Sequence, residues 1–256
     1  MVKAELDEID EVWRNSLVYE LSPSELMLVT DFDGTLADIV PDPVQSAALP
    51  ESLTALRRLT QKLKQVVILS SRTSVELAEL VPISGARLIA DSGLTPPDAQ
   101  ERRALERFNA EAAKLLGNLP GAWLELKPAS TTVHFRNSTA SGEEVLALLR
   151  PLVKDTGLYG ALGRKVIEVH SRFAGKGTAL TELLTEIEPG GVVCMGDDEN
   201  DRSAFEVVSR LDIPHICVGV ASDEAPKDLF DRCELIVAGP SEAARFLQLL
   251  ADWATA

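Results

Sequence analysis

The chain of 256 residues carries 25 Lys and Arg against 40 Asp and Glu, a formal net charge of -15. This excess of acid argues against nucleic-acid and anionic-membrane binding, both of which need a basic face. The hydrophobic content of 45% excludes a disordered acidic chain. Length and composition therefore predict a globular protein of one large domain or two smaller ones.

The cysteines and the N-terminus bear on the cellular setting. The three cysteines, at positions 194, 217 and 233, are odd in number and widely spaced, so they predict neither a disulfide framework nor a paired metal site. The acidic segment before position 21 lacks the apolar core of a signal peptide, and we interpret it as a solvated helix face. No uncharged apolar run approaches the ~18 residues of a membrane span. We therefore expect a cytoplasmic protein with no membrane partner. We also expect it to be a monomer.

In chain order, short runs rich in β-branched residues alternate with helical patterns, which is typical of a parallel sheet flanked by helices. The predicted elements of the first part are a strand at 26–30, a helix at 52–64, a strand at 66–69, a helix at 74–80 and a strand at 87–90. The pattern resumes later with a helix from 177 to 186, a strand at 192–195, a helix at 201–208, strands at 213–219 and 235–237 and a helix at 242–253.

A different pattern lies between these two parts. Pro96 and Pro97 interrupt the chain. The predicted elements that follow are a helix at 98–117, strands at 123–127 and 131–136, a helix at 142–154 and strands at 158–162 and 165–170. We therefore predict an α/β fold with a doubly wound, Rossmann-like parallel-sheet core, residues 1–95 and 173–256, and an inserted α+β antiparallel-sheet cap, residues 96–172.

A pair of acidic residues follows the first predicted strand. Asp31-Phe-Asp33-Gly34-Thr35 places two carboxylates at positions i and i+2 just beyond the strand, at the edge where open α/β sheets bind ligands. Gly34 permits the sharp turn. An Asp-rich turn after a strand is also common without any catalytic function, so this motif gains its meaning from the partner motifs.

A second acidic cluster, Gly196-Asp197-Asp198-Glu199-Asn200-Asp201, follows the strand at 192–195. Carboxylates from two strand ends at one sheet edge would repel each other unless a cation lay between them. Oxygen ligands without His or Cys favour Mg²⁺ over zinc. The alternative is that Asp198 to Asp201 cap the next helix, and we expect Asp201 to do this as well.

Two weaker signals lie at other element ends. Ser70-Ser71-Arg72 follows the strand at 66–69 and brings a hydroxyl and a guanidinium to the same edge, although such residues also cap helices. Gly175-Lys176-Gly177 opens the helix after the insert. There the flanking glycines let the backbone approach a ligand and Lys176 adds a positive charge.

In this order the four segments resemble the four motifs of the haloacid-dehalogenase-like phosphohydrolases. The resemblance implies that Asp31 is the nucleophile that attacks phosphorus, and that Asp33 is the general acid and base. Phosphoryl transfer needs in-line placement and neutralised charge on the phosphoryl oxygens, and the resemblance assigns phosphate binding to Ser70 and Lys176. It also implies a Mg²⁺ cofactor, for which the candidate ligands are Asp31, Asp33, Asp197, Asp198 and Asp201.

The predicted strands of the insert have two unlike faces, because side chains alternate along a strand. The face that we expect to rest on the helices of the insert carries Leu124, Leu126, Val133 and Phe135. The other face carries Trp123 and Thr132 together with Glu125, Lys127, His134 and Arg136. Polar groups of this kind bind sugar hydroxyls and phosphate. A solvated face of salt-bridging charges is the alternative.

Glu125-x-Lys127, His134-Phe-Arg136, the segment 164–169 and Lys176-Gly177 resemble the pattern of the trehalose-6-phosphate phosphatases, with gaps, from about residue 26 to the C-terminus. The resemblance implies that the four polar cap residues and Glu168 bind the substrate, as do Arg72 and the loop Asp91-Ser92-Gly93. The chain departs from the family pattern at two places. Ser71 stands where the family has glycine, and Ala90 to Gly93 replace a Gly-Asn-His-Gly type loop that faces the substrate.

The two resemblances together imply a Mg²⁺-dependent phosphoric monoester hydrolase that converts trehalose 6-phosphate to trehalose and phosphate through an aspartyl-phosphate. Its partner would be a small sugar phosphate. A phosphatase for glucosylglycerol phosphate or a glycosyl-phosphoglycerate is an alternative. A phosphomutase, which passes the phosphoryl group to a sugar, is another. A sugar-phosphate-binding regulatory module without catalysis is an alternative of a different class.

Overall fold

A computed structural model describes residues 6–94, 97–171, 175–223, 225–226 and 228–256. The strands in this part of the chain are β1 Leu26–Thr30, β2 Gln65–Leu69, β3 Ala86–Ile89, β4 Trp123–Leu126, β5 Ser130–His134, β6 Tyr159–Gly163, β7 Val166–His170, β8 Gly191–Gly196, β9 His215–Ala221 and β10 Leu235–Ala238. The helices are α1 Leu6–Arg14, α2 Pro50–Leu59, α3 Ser74–Leu80, α4 Ala99–Leu116, α5 Gly142–Thr156, α6 Lys176–Ile187, α7 Arg202–Val208 and α8 Gly239–Trp253. The chain divides into two compact units, Met1–Gly93 with Gly175–Ala256, and Leu94–Ala174.

Six parallel strands form the sheet of the first unit, in the order β10-β9-β8-β1-β2-β3. β1 lies at the point where the strand order reverses, with β2 on one side and β8 on the other. Parallel strands end at the same edge, so the loops after β1, β2 and β8 lie side by side there. The doubly wound parallel core is therefore confirmed.

Both faces of this sheet are covered, as a parallel sheet requires. Along β1, Leu26 and Leu28 face the apolar cluster formed with α2 and α8, whereas Met27 and Val29 face the cluster formed with α6 and α7. All five residues of β1 are buried. The strand that carries the candidate nucleophile is thus fixed from both sides.

The second unit has an antiparallel sheet in the order β4-β5-β7-β6. One face packs on α4 and α5, with Phe108, Val133, Leu149 and Ile167 fully buried. This confirms the predicted α+β cap and its apolar face. Leu126 is an exception, since it is the last residue of the edge strand β4 and stays 64% exposed.

The other predicted elements lie within three residues of the observed ones, and two predictions differ further. The helix expected at 52–64 spans Pro50–Leu59, with proline at its first turn, and Leu63 still faces the core from the turn that follows. The acidic N-terminal segment is more than a solvated helix face. α1 buries Ile9 and Trp13, and Trp13 packs edge-to-face on Trp253 of α8. None of the helices in the described part of the chain is long and apolar enough to span a membrane.

Candidate active site

Asp31 follows directly after β1 and is 6% exposed. Its backbone amide donates to the carbonyl of Met195 on β8. The chain then turns sharply at Gly34, whose φ of +82° is left-handed, and a Cβ at this position would collide with the carboxylate of Asp197. Glycine is therefore required both by the turn and by the close approach of the two acidic loops.

Lys176 connects the acidic residues of this edge. Its Nζ lies 2.8 Å from Oδ1 of Asp31 and 2.7 Å from Oδ1 of Asp201, and the residue is 1% exposed. It is the first residue of α6. Gly177 allows the start of α6 to pack closely on Ser203: its amide donates to Ser203 Oγ at 3.0 Å, and a Cβ at this position would collide with Ser203.

The loop after β8 is held by Asp201. Its Oδ2 accepts hydrogen bonds from the amides of Asp197 and Asp198, at 3.0 and 3.1 Å. Asp198 begins the following helical turn, and its side chain accepts from the amide of Glu199 at 2.8 Å. Asp198 and Asp201 thus form a capping box on the short turn Glu199–Asp201, whereas the predicted side-chain cap of Asp201 on the next helix, α7, is absent. The Oδ1 of Asp201 instead contacts Lys176.

Among the residues that the structure describes, Asp31, Asp197 and Asp201 form the one group of acids that could share a metal ion. One oxygen of each lies within 4.8 Å of the others, and all three residues are buried. Lys176 offsets one of these buried negative charges, and the all-oxygen donor set suits a hard divalent cation. The residues present therefore fit such a cation.

The protonation of Asp31 depends on the charges around it. The pKa of Asp31 is raised to about 8: burial raises it most, the positive charge of Lys176 opposes the shift, and the negative charges of Asp201 and Asp33 add to it. The two carboxylates raise the pKa of the Lys176 ammonium, outweighing the effect of its burial. Lys176 is therefore a fixed cation of the site at any physiological pH.

Asp33 has contacts that the sequence did not indicate. Arg72 donates to both of its carboxylate oxygens, from Nε at 2.7 Å and from Nη2 at 2.8 Å. Ser46, thirteen residues along the chain, donates to Oδ1 at 3.0 Å. The guanidinium of Arg72 also lies over the ring of Phe32, 5.5 Å from its centroid. No sequence motif marks Ser46 as a partner of Asp33, because this contact depends on how the loop folds.

Ser70 lies beside the loop that departs from the family pattern. The amide of Ser92 donates to the carbonyl of Ser70 at 2.8 Å, and the amide of Asp91 donates to the carbonyl of Arg72 at 2.8 Å. Asp91, Ser92 and Gly93 all have left-handed φ values, of 50°, 55° and 80°. Two consecutive non-glycine residues in this region are uncommon, and such strain is concentrated at functional sites.

The polar cap residues form a group of their own in the second unit. Nε2 of His134 lies 2.7 Å from Oε2 of Glu125, and Nζ of Lys127 lies 3.8 Å from the same oxygen. The strand register places Glu125 and Glu168 on the two sides of Thr132, on the same face of the sheet. Arg136 lies beyond the end of β5, where it donates to the carbonyl of Arg164 at 3.4 Å.

The family model described as Trehalose-phosphatase matches residues 29–230. The chain belongs to the trehalose-phosphatase family.

Similar proteins agree with this assignment. Trehalose-phosphate phosphatases of Mycobacterium bovis (strain BCG / Pasteur 1173P2) and Mycobacterium avium (strain 104) are 31% and 30% identical over 72% and 87% of the chain. The chain spans about half the length of these relatives, 51% and 61% respectively. The solved C-terminal domain of C. albicans trehalose-6-phosphate phosphatase matches with a TM-score of 0.74 at 18% identity, over 98% of each chain. This likeness shows that this family member shares that fold.

Proposed function

We propose that this member of the trehalose-phosphatase family hydrolyses trehalose 6-phosphate to trehalose and phosphate. The observation that carries the proposal is the buried contact of Lys176 with Asp31 beside the acids of the loop after β8. This is a charge arrangement suited to a phosphoryl group. The substrate is suggested by the printed names of the mycobacterial relatives and by the polar cap residues.

The proposed reaction has two displacements. A carboxylate oxygen of Asp31 attacks phosphorus, the bond from phosphorus to the sugar oxygen breaks, and that oxygen takes a proton from Asp33. Asp33 then takes a proton from water, whose oxygen attacks the phosphorus of the aspartyl-phosphate. Phosphate leaves and the carboxylate of Asp31 is restored. Lys176 and Ser70 hold the phosphoryl oxygens in line throughout.

We propose Mg²⁺ as the divalent cation, held by Asp31 and Asp197 and by the backbone carbonyl of Asp33. When bound, it supplies positive charge that offsets the negative charge of the phosphoryl oxygens. Asp201 accepts hydrogen bonds at both of its oxygens, which supports a role in holding Lys176 and the loop. Asp198 is half-buried beside this loop and stays a predicted ligand.

The cap residues Glu125, Lys127, His134, Arg136 and Glu168 are proposed to bind the sugar. Their carboxylate, ammonium, imidazole and guanidinium groups can accept from and donate to hydroxyls. In the first unit we assign the loop Asp91 to Gly93 to the same task, which its strained backbone and its hydrogen bonds to the Ser70 segment support. We also propose that the protein acts as a cytoplasmic monomer, in keeping with three free cysteines.

Release of inorganic phosphate from a panel of sugar phosphates tests this function. The panel contains trehalose 6-phosphate, glucosylglycerol phosphate, a glycosyl-phosphoglycerate, glucose 6-phosphate and 4-nitrophenyl phosphate, with the Asp31→Asn variant as the inactive control. We expect trehalose 6-phosphate to have the highest kcat/KM. A preference for another member of the panel would replace the substrate while keeping the enzyme class.

Two further outcomes separate the remaining alternatives. Binding of trehalose 6-phosphate without hydrolysis of any member of the panel would favour the regulatory module. Transfer of the phosphoryl group to a sugar, with no free phosphate, would indicate a phosphomutase.

A further inference from the structure

Trp123 is a large apolar side chain on the polar face of the cap sheet. Of the three tryptophans, Trp13 is 1% exposed and packs against Trp253, whereas Trp123 is 45% exposed. Among the described residues of the cap, the apolar core around Phe108 lies on the other face of the sheet and does not include Trp123. Burial in the core therefore does not explain the indole at this position.

The exposed indole is nevertheless held in a defined orientation. Trp123 on β4 lies directly opposite His134 on β5, and the two rings stack with their centroids 4.1 Å apart and their planes 5° from parallel. Nε2 of His134 lies 2.7 Å from Oε2 of Glu125, which fixes the imidazole. One face of the indole is covered by His134, so its exposed area is the opposite face and the ring edge.

This arrangement joins a flat apolar surface to polar groups at its side. The carboxylate of Glu125 lies two residues along the same strand face, and Nζ of Lys127 lies 3.8 Å from it. A hexopyranose has the matching chemistry, since its ring has faces of C–H groups and a rim of hydroxyls. A rigid aromatic ring provides contact area at a low cost in conformational entropy, while a carboxylate and an ammonium bond the hydroxyls.

We propose that Trp123 is a sugar-binding residue whose open ring face contacts the C–H face of a glucose ring of the disaccharide phosphate. The proposal rests on the proposed function, and it adds an apolar contact to the polar ones. The competing role is structural, in which Trp123 only shields the hydrogen bond between Glu125 and His134. The two roles differ in whether the ligand contacts the indole.

Steady-state kinetics of Trp123→Ala and Trp123→Phe test the contact. For Trp123→Ala we expect KM for trehalose 6-phosphate to rise about tenfold, the size of effect expected for loss of an apolar contact of ~1.4 kcal/mol. Trp123→Phe should recover most of this loss, because it retains a flat ring. For 4-nitrophenyl phosphate, which has no sugar, we expect kcat/KM of Trp123→Ala to stay about equal to that of the wild-type protein.

Leu126→Ala is the matched control, because Leu126 is an exposed apolar residue on the same edge strand but on the opposite face. We expect it to change KM for either substrate by less than about twofold. Thermal unfolding of all three variants reports any general loss of stability, which would affect both substrates together.

Tryptophan fluorescence gives a readout that does not depend on turnover. In the Asp31→Asn background, trehalose 6-phosphate should shift the emission of the exposed indole, while Trp13 and Trp253 serve as an internal reference. Adding Trp123→Phe should remove the shift. A shift that persists in the double variant, or an unchanged KM in Trp123→Ala with trehalose 6-phosphate as substrate, would overturn the role of Trp123 and leave the proposed function standing.

The failure of the proposed function has a different signature. If the wild-type protein prefers another sugar phosphate, the same comparison is made with that substrate. A tenfold rise in KM would then support Trp123 as a sugar-binding residue although the substrate differs. If the wild-type protein hydrolyses 4-nitrophenyl phosphate but no sugar phosphate, both proposals are wrong.

Discussion

Arg72 holds the carboxylate of Asp33 through two hydrogen bonds, from Nε and Nη2. The resemblance to the family assigned Arg72 to substrate binding, and that assignment stays a prediction. The geometry favours a positioning role, since a guanidinium that is bonded to both oxygens of one carboxylate fixes its direction. In the proposed reaction the carboxyl group of Asp33 must point at the sugar oxygen to transfer its proton, so its position should affect the rate.

Arg72→Lys keeps the charge but loses the two-point contact. We expect kcat for trehalose 6-phosphate to fall by about tenfold to a hundredfold, because the sugar alkoxide needs a proton to leave. The loss with 4-nitrophenyl phosphate should be smaller, since nitrophenolate leaves without one. Arg87→Lys is the control, because Arg87 makes a two-point contact with Glu186 that is largely exposed. Equal losses with both substrates would contradict the positioning role.

The protonation of the Asp31 carboxylate makes the affinity for the metal ion depend on pH. Burial, together with the charges of Asp201 and Asp33, raises its pKa to about 8, and a divalent cation binds the deprotonated form. Below about pH 8, Mg²⁺ must displace the proton, so its affinity should rise about tenfold per pH unit up to about pH 8 and then level off.

Calorimetric titration of Mg²⁺ across this range measures the effect, with Asp31→Asn as the variant in which the pH dependence should disappear. An affinity that falls as pH rises would have the wrong sign for this carboxylate.

At the scale of elements, the parallel sheet explains why distant residues meet. The loops after β1 and β8 come together because these strands are neighbours and point the same way. Gly34 marks the place where the two loops touch, as no Cβ fits between its backbone and Asp197. The sequence indicated a turn at Gly34, but the contact with Asp197, 163 residues away, depends on strand order.

Gly34→Ala should therefore cost more than its backbone strain. We expect a loss of about 2–4 kcal/mol in the free energy of unfolding and weaker Mg²⁺ binding, because the carboxylate of Asp197 must move. Gly239→Ala is the matched control: its φ of +73° is also left-handed, but nothing lies within 4 Å of the added Cβ. It should cost about 1 kcal/mol and spare metal binding. Urea unfolding and Mg²⁺ titration check both, and equal effects would contradict the role of the contact.

At the scale of the whole molecule, the two units have separate apolar cores. Phe108 is fully buried in the cluster of the second unit, and Phe246 is fully buried in a cluster of the first. Neither cluster contains residues of the other unit among those described. Two such cores predict that each unit can lose structure while the other keeps it.

Phe108→Ala removes a large side chain from the core of the second unit and should destabilise it by about 3–5 kcal/mol. Amide hydrogen exchange should accelerate between residues 97 and 171, with little change in β1, β2 and β8. Phe246→Ala should show the reverse pattern. Acceleration over the whole chain in either variant would indicate one cooperative unit.

The sequence by itself determined the fold class, the family and the order of the motifs. These depend on local signals: hydrophobic periodicity, the Asp31-x-Asp33-Gly34 turn, and short motifs at the ends of elements. The alternation of apolar and polar side chains that predicted an apolar face for the cap sheet was also a local signal. It was wrong only at Leu126, which is exposed because the edge strand ends there. These features can be predicted from the sequence because the alternation of side chains along an element and the residues that form a turn involve only a few consecutive positions.

Only the tertiary structure decided which groups bond to one another. The contacts of Lys176 with Asp31 and Asp201, of Arg72 with Asp33, and of Ser46 with Asp33 join residues that are 13 to 145 positions apart. No periodicity encodes such pairs, because they follow from strand order and from the direction of a side chain in a folded loop. The stack of Trp123 on His134 likewise needed the register of two strands.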